Sequence, residues 1–190
     1  MVHLPSGLPE TSREGQIIVG IARSAIEEGL GFPEKSFPDL PWLRTFGATF
    51  VTLTLGGNLH GCIGSLLPSR PLRTDIRENA RAAAFHDPRF LPVTRPHLKD
   101  LGISVSLLSP MEQYLFLDLE DLARQISKNR EGLLLEWKHR TATYLPEVWE
   151  QIPNPAQFIG ELLKKGRIPP NALPPELRAY HYKTTIMKES

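Results

Sequence analysis

Ala48-Thr49-Phe50-Val51-Thr52-Leu53-Thr54-Leu55-Gly56-Gly57-Asn58-Leu59-His60-Gly61-Cys62-Ile63-Gly64-Ser65 is the stretch from which the fold is read. Residues 48–55 are rich in β-branched side chains and alternate strictly, Phe50, Thr52 and Thr54 against Val51, Leu53 and Leu55. That period of two belongs to a half-buried strand. Gly56-Gly57-Asn58 is a turn signal, and 59–65 read as the returning strand. A β-hairpin of this kind favours antiparallel pairing. Alternation places Leu59, Gly61 and Ile63 on one face of the second strand and His60, Cys62 and Gly64 on the other.

Outward from the hairpin the periodicity changes. Upstream, Thr11-x-x-Glu14 offers a capping box, and Ile17, Ile18, Ile21, Ala22, Ala25 and Ile26 recur at helical spacing before Gly29. Gly29, Gly31, Pro33, Pro38 and Pro41 make residues 29–45 a loop. Downstream, Pro71 suits a first helical turn, and Leu72, Ile76, Ala80 and Ala83 form an apolar stripe ending near Phe85. Asp75 and Asn79 on that helix are expected to face solvent or cap it. His86-Asp87-Pro88-Arg89-Phe90-Leu91-Pro92 is irregular, because a residue before proline is pushed out of the helical region.

The remaining elements are a short turn over 95–100, a strand over 103–108, a helix over 118–128 and a second hairpin, 132–137 with 141–145. Short proline-entered helices follow over 146–151 and 155–165, then a Pro-rich loop over 169–175 and one final strand over 179–187. Mixed helices and hairpins, without βαβ alternation, predict an α+β fold with a largely antiparallel sheet and flanking helices. Residues 1–11 read as a loose leader, and residues 12–187 as a single domain.

Composition narrows the function. The chain has 190 residues with 41% hydrophobic and 23% charged, the profile of a globular domain. Lys and Arg number 22 against 21 Asp and Glu, a net charge of +1. That argues against nucleic acid as a partner. One cysteine allows neither an internal disulfide nor a Cys-rich zinc site. No run of apolar residues is long enough to span a membrane, and the N-terminus shows no secretory signal. A cytoplasmic protein is expected.

The chemistry-bearing candidates are few. Cys62 lies between two glycines with His60 two positions away. On one strand face such neighbours are about 6.6 Å apart. A nearby imidazolium would raise the thiolate fraction. The functional reading makes Cys62 a nucleophile or contacting thiol, His60 its electrostatic partner, and Gly61, Gly64 and Ser65 a recess for substrate. The structural reading makes Cys62 a small hydrophobe, with the glycines admitting another backbone. Asp87 and Arg89 either anchor an anionic ligand or pin a helix terminus. Six scattered histidines have no ligand spacing, so no metal is assigned, and no cofactor is indicated. Lys138-His139-Arg140 and Lys164-Lys165-Gly166-Arg167 are small basic clusters.

Several stretches together resemble one family. They are Gly57-x-Leu-His-Gly-Cys-Ile-Gly-Ser-Leu66, Arg70-Pro-Leu-x-x-Asp-Ile-x-x-Asn-Ala80, Ala84-Phe-x-Asp-Pro-Arg-Phe90, Ile103-Ser-Val-Ser-Leu-Leu-Ser-Pro110, Gly132-Leu-Leu-Leu135 and Ala142-Thr-Tyr-Leu-Pro-Glu-Val-Trp149. The chain is similar over about residues 12–187 to the AMMECR domain family, also called AmmeMemoRadiSam system protein A. The resemblance implies two unequal subdomains with a cleft between them, and association with a Memo-type protein and a radical-SAM enzyme. It carries no reaction. With the glycine-flanked His/Cys pair, the leading expectation is an enzyme or accessory subunit using Cys62 on a small molecule or modified nucleotide; the alternatives are a non-catalytic interaction module for a Memo-type or radical-SAM partner, and then an RNA-binding factor. The family's hallmark has arginine where this chain has His60, and an imidazole holds an anion weakly at neutral pH. Cys62, Gly61, Gly64, Asp87, Arg89 and Phe90 match.

Overall fold

The computed structural model describes residues 13–171 and 176–189. In chain order its elements are α1 (Arg13–Gly29), β1 (Phe46–Gly47), β2 (Thr49–Leu55), β3 (Asn58–Gly64), β4 (Arg70–Pro71), α2 (Leu72–Phe85), β5 (Leu101–Leu108), β6 (Glu112–Tyr114), α3 (Leu119–Asn129), β7 (Gly132–Trp137), β8 (Arg140–Tyr144), α4 (Pro155–Lys165), β9 (Leu177–Tyr182) and β10 (Thr184–Lys188). The fold is α+β, and the chain divides into two compact units, residues 1–108 with 185–190, and residues 109–184.

In the first unit the sheet order is β10-β5-β2-β3, with β2 antiparallel to both β3 and β5. Gly56 and Gly57 join β2 to β3 with φ of +55° and +83°. Both central residues are left-handed, as the tight hairpin turn matching strand twist requires. α1 turns Ile18, Ile21, Ala22, Ala25 and Ile26 inward into one core with Val51, Leu53, Ile103 and Val105. Each fully buried Ile contributes about 1.5–3 kcal/mol by apolar transfer. α1 ends at Gly29, where the sequence places its stop; Thr11 of the capping box lies outside the described residues.

In the second unit the order is β6-β9-β7-β8, antiparallel throughout. Its core sets Trp149 flat on Phe158, 3.9 Å between centroids, among Leu122, Ile126, Leu133, Leu135 and Leu162.

The single final strand of the sequence reading is two strands. β9 serves one unit and β10 the other, and Lys183 separates them. The backbone of Lys183 pairs with Ser109 instead of a strand, its N–H donating to the Ser109 hydroxyl and its carbonyl accepting from the Ser109 N–H. The two-residue β1 and β4 and the three-residue β6 are too short to set up a period in the sequence. Of the described residues, no helix is long and apolar enough to cross a membrane.

Candidate functional site

The hairpin strand β3 positions the candidate residues, and its register holds a surprise. Thr52 faces Cys62 and Leu53 faces Gly61, but Thr54 faces Leu59. His60 is therefore an extra residue, a β-bulge. Beyond the bulge the alternation inverts. Leu59 shares the face of Thr54, while His60 turns to the helix side, where its ring meets Phe90 (5.7 Å) and His97 (5.8 Å). This corrects the sequence expectation that His60 and Cys62 stand side by side: strict alternation cannot anticipate an inserted residue. The buried Nε2 of His60 has no hydrogen-bond partner.

The two glycines around Cys62 admit the protein itself. A Cβ on Gly61 would lie 2.3 Å from the Ala83 carbonyl oxygen, so glycine lets α2 pack down on β3. A Cβ on Gly64 would lie 2.3 Å from the Phe50 ring and 2.6 Å from the Thr49 carbonyl oxygen. Cys62 is half-buried, and its Sγ accepts a hydrogen bond from the Thr52 hydroxyl at 3.3 Å.

Asp87 and Arg89 reach Cys62 through its backbone. β3 is an edge strand, and the Cys62 N–H donates to Asp87 Oδ2 at 2.9 Å. Arg89 Nη2 donates to the Cys62 carbonyl at 3.1 Å. The pair is itself joined, Arg89 Nε to Asp87 Oδ1 at 2.9 Å and Nη2 to Oδ2 at 2.7 Å. An acid and a guanidinium thus satisfy the edge groups a further strand would have taken. The Arg89 guanidinium, with the N–H groups of Cys62 and Arg89, holds the Asp87 carboxyl far below the usual carboxylate range against the effect of its burial.

A polar network next to this clamp was not expected. Asp75 is fully buried and Asn79 nearly so, which corrects their placement in solvent or at a cap. Asp75 accepts from the Thr49 N–H (2.8 Å) and hydroxyl (2.7 Å), Asn79 Nδ2 (2.9 Å), the Ser65 hydroxyl (2.7 Å) and Arg70 Nε (2.8 Å). Ser65 Oγ also accepts from Arg70 Nη2 and Asn79 Nδ2, each at 3.2 Å, so its hydroxyl is fully engaged. A buried carboxylate is tolerable only when satisfied in this way. The network ties β2, the end of β3, β4 and α2 together. The signal was in the helical spacing: 75 and 79 fall on the same inward stripe as 72, 76, 80 and 83.

Chemically, the arrangement presents a half-buried thiol beside a hydroxyl on a backbone clamped from its edge. His86 is exposed, and among the described residues no group of three or more His, Cys, Asp or Glu converges to hold a metal.

Comparison with known proteins gives the same frame. The chain is similar to a protein of Methanothermobacter thermautotrophicus, 37% identical over 190 residues that cover 95% of this chain and 97% of the other. A protein of Thermococcus onnurineus is 32% identical, covering 92% and 90%. The crystal structure of an uncharacterized protein from Pyrococcus horikoshii superposes with a TM-score of 0.84 at 30% identity, covering 96% of this chain and 95% of that one. The AMMECR1 family model matches residues 19–187, which takes in β3, the clamp and the buried network alike; the chain belongs to the AMMECR1 family.

Proposed function

We propose that this AMMECR1-family chain is a non-catalytic interaction module, docking on a Memo-type or radical-SAM partner, with Cys62 as a contacting thiol rather than a nucleophile. The observation that carries this reading is the bulge at His60. It takes the imidazole off the thiol's face and leaves the Thr52 hydroxyl as the hydrogen-bond partner of Sγ. A thiol nucleophile draws on an adjacent base held by a third group. Asp87 and Arg89, the other polar candidates, are spent on the Cys62 backbone. The lone free cysteine fits a reducing, cytoplasmic setting. Co-expression with each partner followed by pulldown tests the proposal: a stable complex that survives Cys62→Ser is expected, and failure to co-purify with either partner overturns it.

The half-exposed thiol favours a second reading, an enzyme or accessory subunit acting on a small molecule or modified nucleotide. There Cys62 attacks or contacts the ligand, with His60 as electrostatic partner and Gly61, Gly64, Ser65, Asp87 and Arg89 around it. Loss of function in Cys62→Ser with the complex intact would select this reading. Salt-dependent RNA binding at low ionic strength would instead select the RNA-binding role.

A further inference from the structure

The second unit holds a group of titratable side chains that the proposed docking role does not use. His181 on β9 lies directly across from Glu112 on β6. Its ring stacks on Tyr114 at 4.3 Å and 25°. Its Nδ1 is hydrogen-bonded to Glu131, the residue before β7, whose side chain is only 11% exposed. Lys183 reaches the other oxygen of the same carboxylate at 3.6 Å. His181, Glu112, Glu131 and Lys183, with Ser109 and Asn129, line a cleft of about 360 Å³.

The ring is therefore fixed on two sides. Tyr114 stacks on one face of the ring and Glu131 holds Nδ1; we assign the Nδ1 proton to that bond, which makes Nε2 the nitrogen left for a ligand. Nε2 stands 3.9 Å from Glu112 Oε2, too far for a direct hydrogen bond. Two ligand atoms of a tetrahedral ion stand about 3.3 Å apart given bonds of about 2.0–2.1 Å, and the Glu112 side chain, 79% exposed, closes that difference by a small rotation. A histidine whose second nitrogen donates to a carboxylate is the usual outer arrangement of a metal-bound imidazole. Lys183 pairs with Glu131, the carboxylate that holds Nδ1. The Ser109 hydroxyl donates to the Pro110 carbonyl and accepts from the Lys183 N–H, so it is not a nucleophile for this histidine.

We propose that His181 Nε2 and Glu112 form a binding site for one divalent transition-metal ion, with Glu131 as the residue that positions the imidazole. Two side chains supply the protein ligands, and water from the open cleft completes the shell. An imidazole–carboxylate pair selects zinc, nickel or copper over magnesium and calcium.

The test is titration of the full chain with Zn²⁺ alone by calorimetry, alongside an NMR spectrum of the histidine ring nitrogens. One equivalent is expected to bind at His181, shifting its Nε2 resonance, while Mg²⁺ does not compete. His181→Gln and Glu112→Gln should each weaken that binding tenfold or more, and Glu131→Gln by about 10–100-fold with both ligands still present. Glu112 is exposed, so Glu112→Gln should fold and melt like the parent, which separates lost binding from lost structure. Zn²⁺ affinity unchanged in both His181→Gln and Glu112→Gln, no binding at His181, or equal competition by Mg²⁺ would each overturn the proposal.

Discussion

Replacing Asp87 by alanine removes the clamp on the edge of β3, and its cost follows from the geometry. The carboxylate side chain is 2% exposed and accepts from the Cys62 N–H at 2.9 Å. Without it that N–H is left unpaired at a part-buried position, at about 1–3 kcal/mol. The ion pair adds less, because the Arg89 side chain is 55% exposed and surface pairs contribute about 0–1 kcal/mol. The expected loss is about 1–4 kcal/mol in the first unit. For a chain of this size that lowers Tm by roughly 2–16 °C. Denaturant unfolding and amide hydrogen exchange at Cys62 read it out. Exchange at the Cys62 amide should rise toward the rate of an open strand edge. The same carboxyl makes stability depend on pH. Its folded pKa is depressed, so its contribution is complete above the unfolded value near 3.9 and is lost progressively as pH falls below it. Asp87→Ala should flatten that acid limb. If Asp87→Ala keeps parental stability, and the Cys62 amide stays protected, the clamp is wrong.

Other expectations follow from the same neighbourhood. Gly61→Ala drives a Cβ to within 2.3 Å of the Ala83 carbonyl, against backbone that cannot swing away, and should cost at least about 1–3 kcal/mol in chemical denaturation. Asp75→Asn leaves part of a buried network without its acceptor and should cost about 3–5 kcal/mol, the largest loss among these variants. Gly56→Ala, at φ +55° with open space around it, should cost only about 1–2 kcal/mol of backbone strain in the same assay.

Much of the fold could be read from local pattern. The eighteen-residue hairpin stretch, the stripe of α1 and the proline-entered α4 each carry a period long enough to declare itself, and the structure has all of them. What escaped the pattern depended on other parts of the chain. β6 is three residues long and exists because β9 offers it an edge. The run from 179 to 187 reads as one strand, and only its partners in two different units reveal the break at Lys183. At the candidate site, the glycine-flanked thiol and the proline-bounded loop mark Cys62, Asp87 and Arg89, which do meet. That they meet through the Cys62 backbone depends on β3 being an edge strand, a fact of sheet order and not of spacing. Asp75 and Asn79 were misplaced because polar residues on a helix default to solvent. Their position on the apolar stripe was the contrary signal, and Thr49, Ser65 and Arg70 are what make that burial tolerable.

The central claim is that the bulge separates His60 from the thiol. It is tested most directly by the rate of Cys62 alkylation as a function of pH, in the parent and in His60→Ala. With the imidazole on the opposite face, the two profiles should have the same shape and midpoint. A midpoint that moves to higher pH when His60 is removed would mean that the imidazole does support the thiolate, and would contradict the account.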